Sequence, residues 1–284
     1  MMNAHFIRDN TRPSIKFSCK DLMPLRQIST LFIPSISSGS QITMTQDIQA
    51  DVQTSVVTLT LTREHAGNMF DLPLIHEMTR HINAAADHAH CVVIRGAGPN
   101  FCRGRDPATA GPHATPMALR DNLLSPIMGL YDAIRFSRIP VIAAVQGDVL
   151  GLGCAIAGVC DMTIADESAR FQLPEMEYNL PPTLAISAIL DRIGKKGTAW
   201  MAYSLDKLDA HRARELGLVN SVVPVGQLDA EVQRLLTTLT SRDLMSVMAV
   251  KEYLNYAPET GPAVRSMASN LLALALSTQA ARKA

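Results

Sequence analysis

Residues 141–175 constrain the fold of this chain more than any other stretch, because short apolar runs alternate there with glycine-rich turns. The run at 141–145, VIAAV, indicates a short buried strand. After a turn at 146–148, the small apolar segment 149–158 has glycines where a helix should begin, and a second strand-like run follows at 162–165. The order strand, helix, strand predicts an α/β fold with parallel strands.

The glycines of this stretch, together with an acidic residue that follows them, predict a site for an oxyanion. Glycine lets a backbone approach a ligand closely, and the start of a helix offers unpaired N–H groups at the positive end of its dipole. Glu175 lies about twenty residues further along the chain. We therefore expect main-chain amides and one carboxylate to meet at a place where an enolate is formed and held.

The rest of the chain also alternates strand and helix patterns. Val and Thr residues at 52–61 predict one strand, Asp71 is expected to cap the helix that follows, and 91–94 predicts a second strand, which together make a βαβ unit. Further helices are predicted at 117–136, 181–193, 209–216, 227–240, 243–256 and 263–281, and a last strand at 219–223. The methionines of the helix at 117–136 are interpreted as core residues.

Residues 101–106, FCRGRD, resemble the Phe-x-Ala-Gly-Ala-Asp loop of the enoyl-CoA hydratase/isomerase (crotonase) family. The helix start at 150–153, the Cys160-Asp161 pair and the Leu-Pro-Glu run at 173–175 match further motifs of that family. The resemblance spans about residues 52–255. It implies an α/β fold of the crotonase-like (ClpP/crotonase) kind, a spiral of ββα units with a C-terminal helical region that builds trimers or dimers of trimers.

The resemblance also implies roles for individual residues. The backbone N–H groups of Arg105 and Leu152 would form the oxyanion hole for a CoA thioester, and Glu175 would be the catalytic acid-base group. Further contacts with the CoA thioester are implied for Arg103, Gly104, Asp106, Gly151, Gly153 and Pro174. The implied substrate is an acyl-CoA, with no metal and no separate cofactor, because CoA enters as part of the substrate.

Three positions depart from the pattern of the resembled family. Arg103 and Arg105 stand where small residues are usual, and their side chains either approach CoA phosphates or are solvated surface charges; the sequence favours neither interpretation. Leu152 stands where glycine is common. A backbone donor tolerates this change, and the Leu152 side chain either narrows the pocket or points into the core.

Ala155 marks a fourth departure, and it bears on the reaction. Hydratases of the resembled family use two carboxylates, of which the first maps to Ala155 and the second to Glu175. One carboxylate is sufficient to move a double bond, because it can take a proton from one carbon and return it nearby. We therefore expect enoyl-CoA isomerisation. Two alternatives stay open: hydration with another acid such as Asp148 or Glu177, and an inactive homologue that binds CoA.

Composition and other motifs argue against several other classes of protein. Lys plus Arg and Asp plus Glu both number 26, so the formal net charge is zero and gives no reason to expect binding to nucleic acid or to a membrane surface. No apolar run approaches the roughly 18 residues of a membrane span. The glycines at 96–98 lack the rest of a dinucleotide-binding fingerprint. Five cysteines without a CxxC pair indicate reduced thiols, and the histidines show no metal-ligand spacing.

The chain is predicted to have three parts. Residues 1–48 are expected to be a disordered or non-essential extension, residues 49–225 the crotonase-like α/β core, and residues 226–284 a C-terminal helical region. The basic residues of the extension leave a second interpretation, a transit peptide at residues 1–43. The predicted location is cytoplasmic, or the mitochondrial matrix if that second interpretation holds.

Overall fold

The computed structural model describes residues 41–44, 47–110, 115–256 and 270–272 of the 284-residue chain. The strands within these residues are β1 (Gln41–Met44), β2 (Ile48–Gln53), β3 (Val56–Leu61), β4 (Cys91–Gly96), β5 (Val141–Val145), β6 (Asp148–Leu150), β7 (Met162–Asp166), β8 (Arg170–Gln172), β9 (Leu208–Asp209) and β10 (Ser221–Val223). The α-helices are α1 (Leu72–Ala85), α2 (Pro116–Leu119), α3 (Ser125–Arg135), α4 (Leu152–Val159), α5 (Thr183–Ser204), α6 (Ala210–Leu216), α7 (Leu228–Thr240) and α8 (Leu244–Tyr256).

Two sheets organise the molecule. The larger has seven strands in the order β1-β2-β3-β4-β5-β7-β10; its first three strands are antiparallel and those from β3 onward are parallel. The smaller sheet has the order β6-β8-β9, with β6 and β8 parallel. The parallel strands confirm the α/β class predicted from the sequence.

The strand β5 shows why the parallel part of the large sheet is apolar throughout. Successive side chains of a strand point to opposite faces. Val141, Ala143 and Val145 belong to the main core, which α1, α3 and α4 cover, whereas Ile142 and Ala144 belong to a second apolar cluster that α7 covers. A sheet covered on both faces needs continuous apolar runs rather than an alternating pattern.

Two predicted helices begin where the sequence indicated, and one of them also ends there. The Asp71 side chain accepts a hydrogen bond from the Leu74 amide and caps α1. The Asp209 side chain does the same for Arg212 at the start of α6, and Gly217 ends that helix in the left-handed conformation.

The prediction of one strand at 52–61 is wrong in detail, because this segment contains the end of one strand and the whole of the next. The strand β2 ends at Gln53 and β3 begins at Val56, with Thr54 in the left-handed conformation (φ 56°) between them. Neither glycine nor proline marks this turn, so the residues around Thr54 do not indicate it.

Two predicted helices also differ in detail. The helix predicted at 117–136 contains a π-helical turn (Arg120–Leu124) between α2 and α3, and Met117 is 62 % exposed, so its interpretation as a core residue is wrong. The helix predicted to end at residue 193 continues as α5 to Ser204 through a kink at Gly194, whose φ is 68°.

The boundaries of the predicted parts are less sharp in the structure. The strand β1 pairs with β2, so the large sheet includes residues that the prediction assigned to the extension. Residues 1–40, and with them most of that extension, lie outside the described residues, as does most of the helix predicted at 263–281. Within the described residues, no helix is long and apolar enough to cross a membrane.

Candidate active site

The loop at residues 101–106 is held on both sides by backbone hydrogen bonds. On one side Cys102 donates to the Asp148 carbonyl (3.1 Å) and accepts from the Leu150 amide (2.9 Å). On the other side the Phe70 amide donates to the Gly104 carbonyl (3.0 Å), and the Asp106 amide donates to the Phe70 carbonyl (2.8 Å). Because Phe70 forms backbone hydrogen bonds with Gly104 and Asp106, the two neighbours of Arg105, the Arg105 amide points away from Phe70. That amide donates to no described residue.

The start of α4 lies against this loop. Gly151 has φ 50° and ψ −114°, and its amide donates to the Gln172 carbonyl. The first helical bond runs from the Ala155 amide to the Gly151 carbonyl, so the Leu152 amide has no helical acceptor. A Cβ on Gly153 would collide with the Cys102 carbonyl oxygen, which shows how closely the helix and the loop approach.

The two amides predicted as oxyanion donors therefore lie close together, on either side of Gly104. The Leu152 nitrogen lies 3.9 Å from the point where a Cβ on Gly104 would sit, and the Arg105 nitrogen is bonded directly to Gly104. Main-chain donors fixed in this way need no rearrangement when negative charge develops nearby.

Glu175 is partly buried beside Gly151, next to the Leu152 amide. It opens a short 3₁₀ helix (Glu175–Tyr178) directly after Pro174, and Asn179 ends that helix in the left-handed conformation. The Glu175 Oε1 atom is 3.1 Å from the point where a Cβ on Gly151 would sit. Its Oε2 atom is buried and has no hydrogen-bond partner among the described residues.

Burial of Glu175 favours its neutral form. Desolvation raises the pKa of this carboxyl above its ordinary value, and its own backbone N–H opposes that shift. A carboxyl with a raised pKa, partly buried beside free amides, is suited to exchange protons with a bound substrate. Ala155, one turn along α4, is fully buried and offers no second carboxylate.

The sequence predicts no role for Tyr131, which lies within the helix predicted at 117–136. Its side chain is 3 % exposed, and burial, followed by the negative charge of Glu175, raises the pKa of its hydroxyl. Burial also raises the pKa of the Cys102 thiol to about 12. The helical period indicates a buried face but not which distant residues a side chain on that face approaches.

Sequence reasoning also missed Arg63, which binds three carboxylates from separate segments. Its guanidinium lies 2.9 Å from Asp71, 3.3 Å from Asp106 and 3.7 Å from Asp47, and it donates to the Met69 carbonyl (2.9 Å). The contacts with Asp106 and Met69 hold the loop at 101–106 against the segment that contains Phe70. No spacing along the chain indicates this cluster, because its partners meet only in the fold.

The arginines at 103 and 105 have different surroundings. Arg103 is 56 % exposed, and its Nε lies 3.4 Å from Asp148, which Lys207 also contacts at 3.1 Å. Arg105 is half-buried and donates to the Asp106 carbonyl at 3.2 Å. The exposed Arg103 side chain is thus already paired at the surface, and a contact of either arginine with CoA stays a prediction.

The carboxylates considered as substitutes for the one missing at Ala155 are engaged elsewhere. Asp148 is held by Arg103 and Lys207, and Glu177 is exposed and accepts a hydrogen bond from Gln172 at 3.0 Å.

Comparison with known proteins gives a consistent set of similarities. The family model described as enoyl-CoA hydratase/isomerase matches residues 51–283. A probable enoyl-CoA hydratase from Rhizobium meliloti is 30 % identical over 75 % of this chain and 83 % of its own length. A probable enoyl-CoA hydratase from Mycobacterium bovis is 29 % identical over 71 % of this chain and 78 % of its own. A crystal structure of enoyl-CoA hydratase from Bacillus anthracis superposes with a TM-score of 0.77 at 26 % identity, covering 82 % of this chain and 92 % of that one.

Proposed function

The chain belongs to the enoyl-CoA hydratase/isomerase family, and we propose that within it the chain moves the double bond of an enoyl-CoA, with Glu175 as the single acid-base group. The observation that carries this proposal is the position of the Glu175 carboxylate, which is partly buried beside Gly151 while Ala155 supplies no second carboxylate.

The proposed reaction begins at the thioester carbonyl. The amides of Arg105 and Leu152 donate hydrogen bonds to its oxygen, and Glu175 takes a proton from carbon 2 of a 3-enoyl-CoA. The electron pair of the broken C–H bond forms a double bond between carbons 1 and 2 of the acyl group. The negative charge collects on the carbonyl oxygen, which gives a dienolate. The protonated Glu175 then returns its proton to carbon 4, which leaves a double bond between carbons 2 and 3.

The two amides support this reaction because they bind the dienolate more strongly than the neutral substrate. Loss of one such donor typically lowers the rate on the order of 10²–10³. The raised pKa of Glu175 supports it as well, because a general base is most effective when its pKa lies near the working pH.

Hydration of a 2-enoyl-CoA is the second candidate. The names of the relatives favour it, since both are called probable enoyl-CoA hydratases. Hydration moves protons at two centres and is suited to two acid-base groups. In this chain Asp148 and Glu177 have other partners, which supports the isomerase instead. A homologue that binds CoA without turnover is the third candidate, suggested by Ala155.

The remaining properties, which rest on the resemblance, the net charge and the cysteines, stay predictions. The substrate is an acyl-CoA that brings its own CoA, with no separate cofactor, and the chain forms a homotrimer or homohexamer. It binds no nucleic acid and acts in the cytoplasm, or in the mitochondrial matrix if residues 1–43 are a transit peptide.

The test supplies 3-enoyl-CoA and 2-enoyl-CoA of equal chain length and follows conjugation and hydration by absorbance. Glu175→Gln is expected to slow isomerisation by about 10²–10⁴, whereas the exposed Glu177→Gln, the matched control, should stay near the wild-type rate. Equal activity of Glu175→Gln and wild type would reject the assignment of the base. Hydration faster than isomerisation would select the hydratase, and CoA binding without turnover would select the inactive homologue.

A further inference from the structure

The Cys102 thiol lies inside the loop that carries one of the two predicted oxyanion donors. Its sulfur accepts a hydrogen bond from the Gly104 amide at 3.3 Å, and the thiol donates to the Gly104 carbonyl at 3.5 Å. Both residues are buried. In the part of the chain that the structure describes, the Gly104 amide has no other hydrogen-bond acceptor. The thiol therefore satisfies a backbone group that would otherwise be buried without a partner.

The Gly104 carbonyl belongs to the same peptide unit as the Arg105 N–H. A trans peptide is planar, so its C=O and N–H bonds point in opposite directions. Two donors reach this carbonyl, the Phe70 amide at 3.0 Å and the Cys102 thiol. The groups that hold the carbonyl thus also set the direction of the Arg105 N–H. Hydrogen bonds to the carbonyl end of a peptide polarise its N–H as well, which makes that N–H a stronger donor.

The Cys102 side chain also lies against the segment that carries the other predicted donor. A Cβ on Gly153 would sit 3.0 Å from the Cys102 sulfur and 2.8 Å from the Cys102 Cβ. Gly153 directly follows Leu152, whose amide is the second predicted donor. One side chain is thus placed between the peptide of Arg105 and the start of α4, where it can keep the two donors at a fixed separation.

The thiol keeps the proton that it donates. Burial raises its pKa to about 12, so the neutral form is present across the physiological range. A neutral thiol is both a weak donor and a weak acceptor, which matches its two contacts with Gly104. A buried thiol that stays protonated is also a poor nucleophile. Cys102 is therefore suited to hold the backbone rather than to react with a substrate.

We propose that Cys102 is a positioning residue of the oxyanion hole, whose thiol fixes the direction in which the Arg105 N–H meets the thioester oxygen. This role rests on the proposed function, because it takes the Arg105 amide as an oxyanion donor. The thiol acts through the backbone and not on the substrate. Its effect belongs to the state in which the thioester oxygen carries negative charge, so it should change kcat and the binding of an enolate rather than the binding of a neutral thioester.

Three variants separate the hydrogen bonds of the thiol from its volume. Cys102→Ala removes both bonds and leaves a small cavity, Cys102→Val removes both bonds and fills the space, and Cys102→Ser keeps a donor and an acceptor. Cys91→Ala is the matched control, because Cys91 is equally buried but lies on β4 in the apolar cluster on the other face of the large sheet. The thermal unfolding midpoint of each variant reports separately on its stability.

The first measurement compares butanoyl-CoA, a neutral thioester, with acetoacetyl-CoA, which loses a proton from carbon 2 to form an enolate whose absorbance is followed at one pH. We expect wild type, Cys91→Ala and Cys102→Ser to hold acetoacetyl-CoA as the enolate in a larger fraction than in free solution. Cys102→Ala and Cys102→Val should lower the enolate-to-neutral ratio of the bound ligand about 5- to 10-fold. The dissociation constant of butanoyl-CoA should change by less than about 2-fold.

The second measurement is turnover of a 3-enoyl-CoA. Cys102→Ala and Cys102→Val should lower kcat about 10- to 100-fold with little change in KM, because a misplaced donor is felt in the transition state. Cys102→Ser should recover most of kcat, which a side chain needed only to fill space would not explain.

Four outcomes would overturn the inference: no enrichment of the enolate by wild type, an unchanged enolate ratio in Cys102→Ala and Cys102→Val, an equal loss in Cys102→Ser, or an equal loss in Cys91→Ala. The enolate measurement needs neither a double bond nor turnover, so it is separate from the test of the isomerase. A chain that does not isomerise but loses the enolate with the thiol would reject the proposed reaction and keep the role of Cys102. An active isomerase whose enolate ratio ignores the thiol would do the reverse.

Discussion

The Glu175 carboxylate is a stronger base than an exposed glutamate because burial opposes its charged form. Pro174 and the short 3₁₀ helix after it turn the side chain inward, and Gly151, which has no side chain, leaves room for the carboxylate. The same burial that suits Glu175 to proton transfer must therefore weaken the folded state when the group ionises.

The stability of the chain is expected to reflect this raised pKa. Between the pKa of an unfolded glutamate, about 4.3, and the higher pKa in the fold, the folded state binds more protons than the unfolded state. The contribution of Glu175 is thus fully present below pH of about 4.3 and is lost as pH rises through the folded pKa. Glu175→Gln should gain stability relative to wild type on going from pH 4 to pH 8.

Urea unfolding at a series of pH values measures this difference, with Glu177→Gln as the control for removal of one negative charge. A difference between Glu175→Gln and wild type that does not change with pH would contradict the expected effect of burial.

The residues of the candidate site differ in how well a sequence predicts them. Arg105, Leu152 and Glu175 belong to local runs of a few residues, so each could be predicted from its own motif. Arg63 could not, because its importance comes from partners that are distant along the chain: its guanidinium meets Asp106. Pairing of this kind exists only in the folded chain.

At the scale of elements, the contact between α4 and the loop at 101–106 sets the distance between the two predicted oxyanion donors. Gly153 permits this contact, because the Cys102 carbonyl occupies the space that a side chain would need. The Cys102 carbonyl accepts a hydrogen bond from the Leu150 amide, so it cannot move away from Gly153 without breaking that bond.

Gly153→Ala is expected to separate the helix start from the loop. A displacement of about 1 Å at a catalytic group can lower the rate about 100-fold, and overpacking of this kind destabilises by about 1–3 kcal/mol. The measurements are kcat with a 3-enoyl-CoA and the thermal unfolding midpoint. Gly129→Ala is the matched control: Gly129 is exposed on α3 with open space around it, so the change should stabilise by about 0.5–1 kcal/mol. Full activity of Gly153→Ala would show that the contact does not set the geometry.

Helices with polar caps were predicted well, and changes of direction inside a segment were not. Asp71 and Asp209 begin helices through side-chain bonds that the sequence displays. The turn at Thr54 and the continuation of α5 beyond Gly194 have no such side-chain bond to indicate them. The alternating pattern of 52–61 continues across the turn at Thr54, and a single glycine gives no indication whether the chain resumes a helix after it.

At the scale of the whole molecule, the C-terminal helices complete the core rather than adding to a finished one. The predicted crotonase-like fold is confirmed by the family match and by solved structures that superpose over most of the chain. However, the predicted α/β core at 49–225 is covered by helices from the predicted C-terminal region at 226–284. The helix α7 covers the second face of the large sheet. The helix α8 packs Leu244 and Met248 against the core and adds one buried charge, Lys251.

Lys251, 2 % exposed, donates to both oxygens of Asp161 at 2.6 and 2.7 Å and to the Ile134 carbonyl at 3.2 Å, and the Val141 amide donates to the same carboxylate at 2.7 Å. Lys251→Met leaves that carboxylate with only its backbone donor, so we expect a loss of about 3–5 kcal/mol in the free energy of unfolding, measured with urea. Asp161→Asn keeps an acceptor for the Val141 amide without the negative charge. The double variant Lys251→Met/Asp161→Asn should therefore be more stable than the sum of the two single changes predicts.

The exposed helical pair Arg212–Glu215 is the control, since Arg212→Met should change stability by only a few tenths of a kcal/mol. A loss below about 1 kcal/mol for Lys251→Met would mean that α8 is held by apolar packing alone, and that the charge at position 251 does not join the C-terminal helices to the sheet.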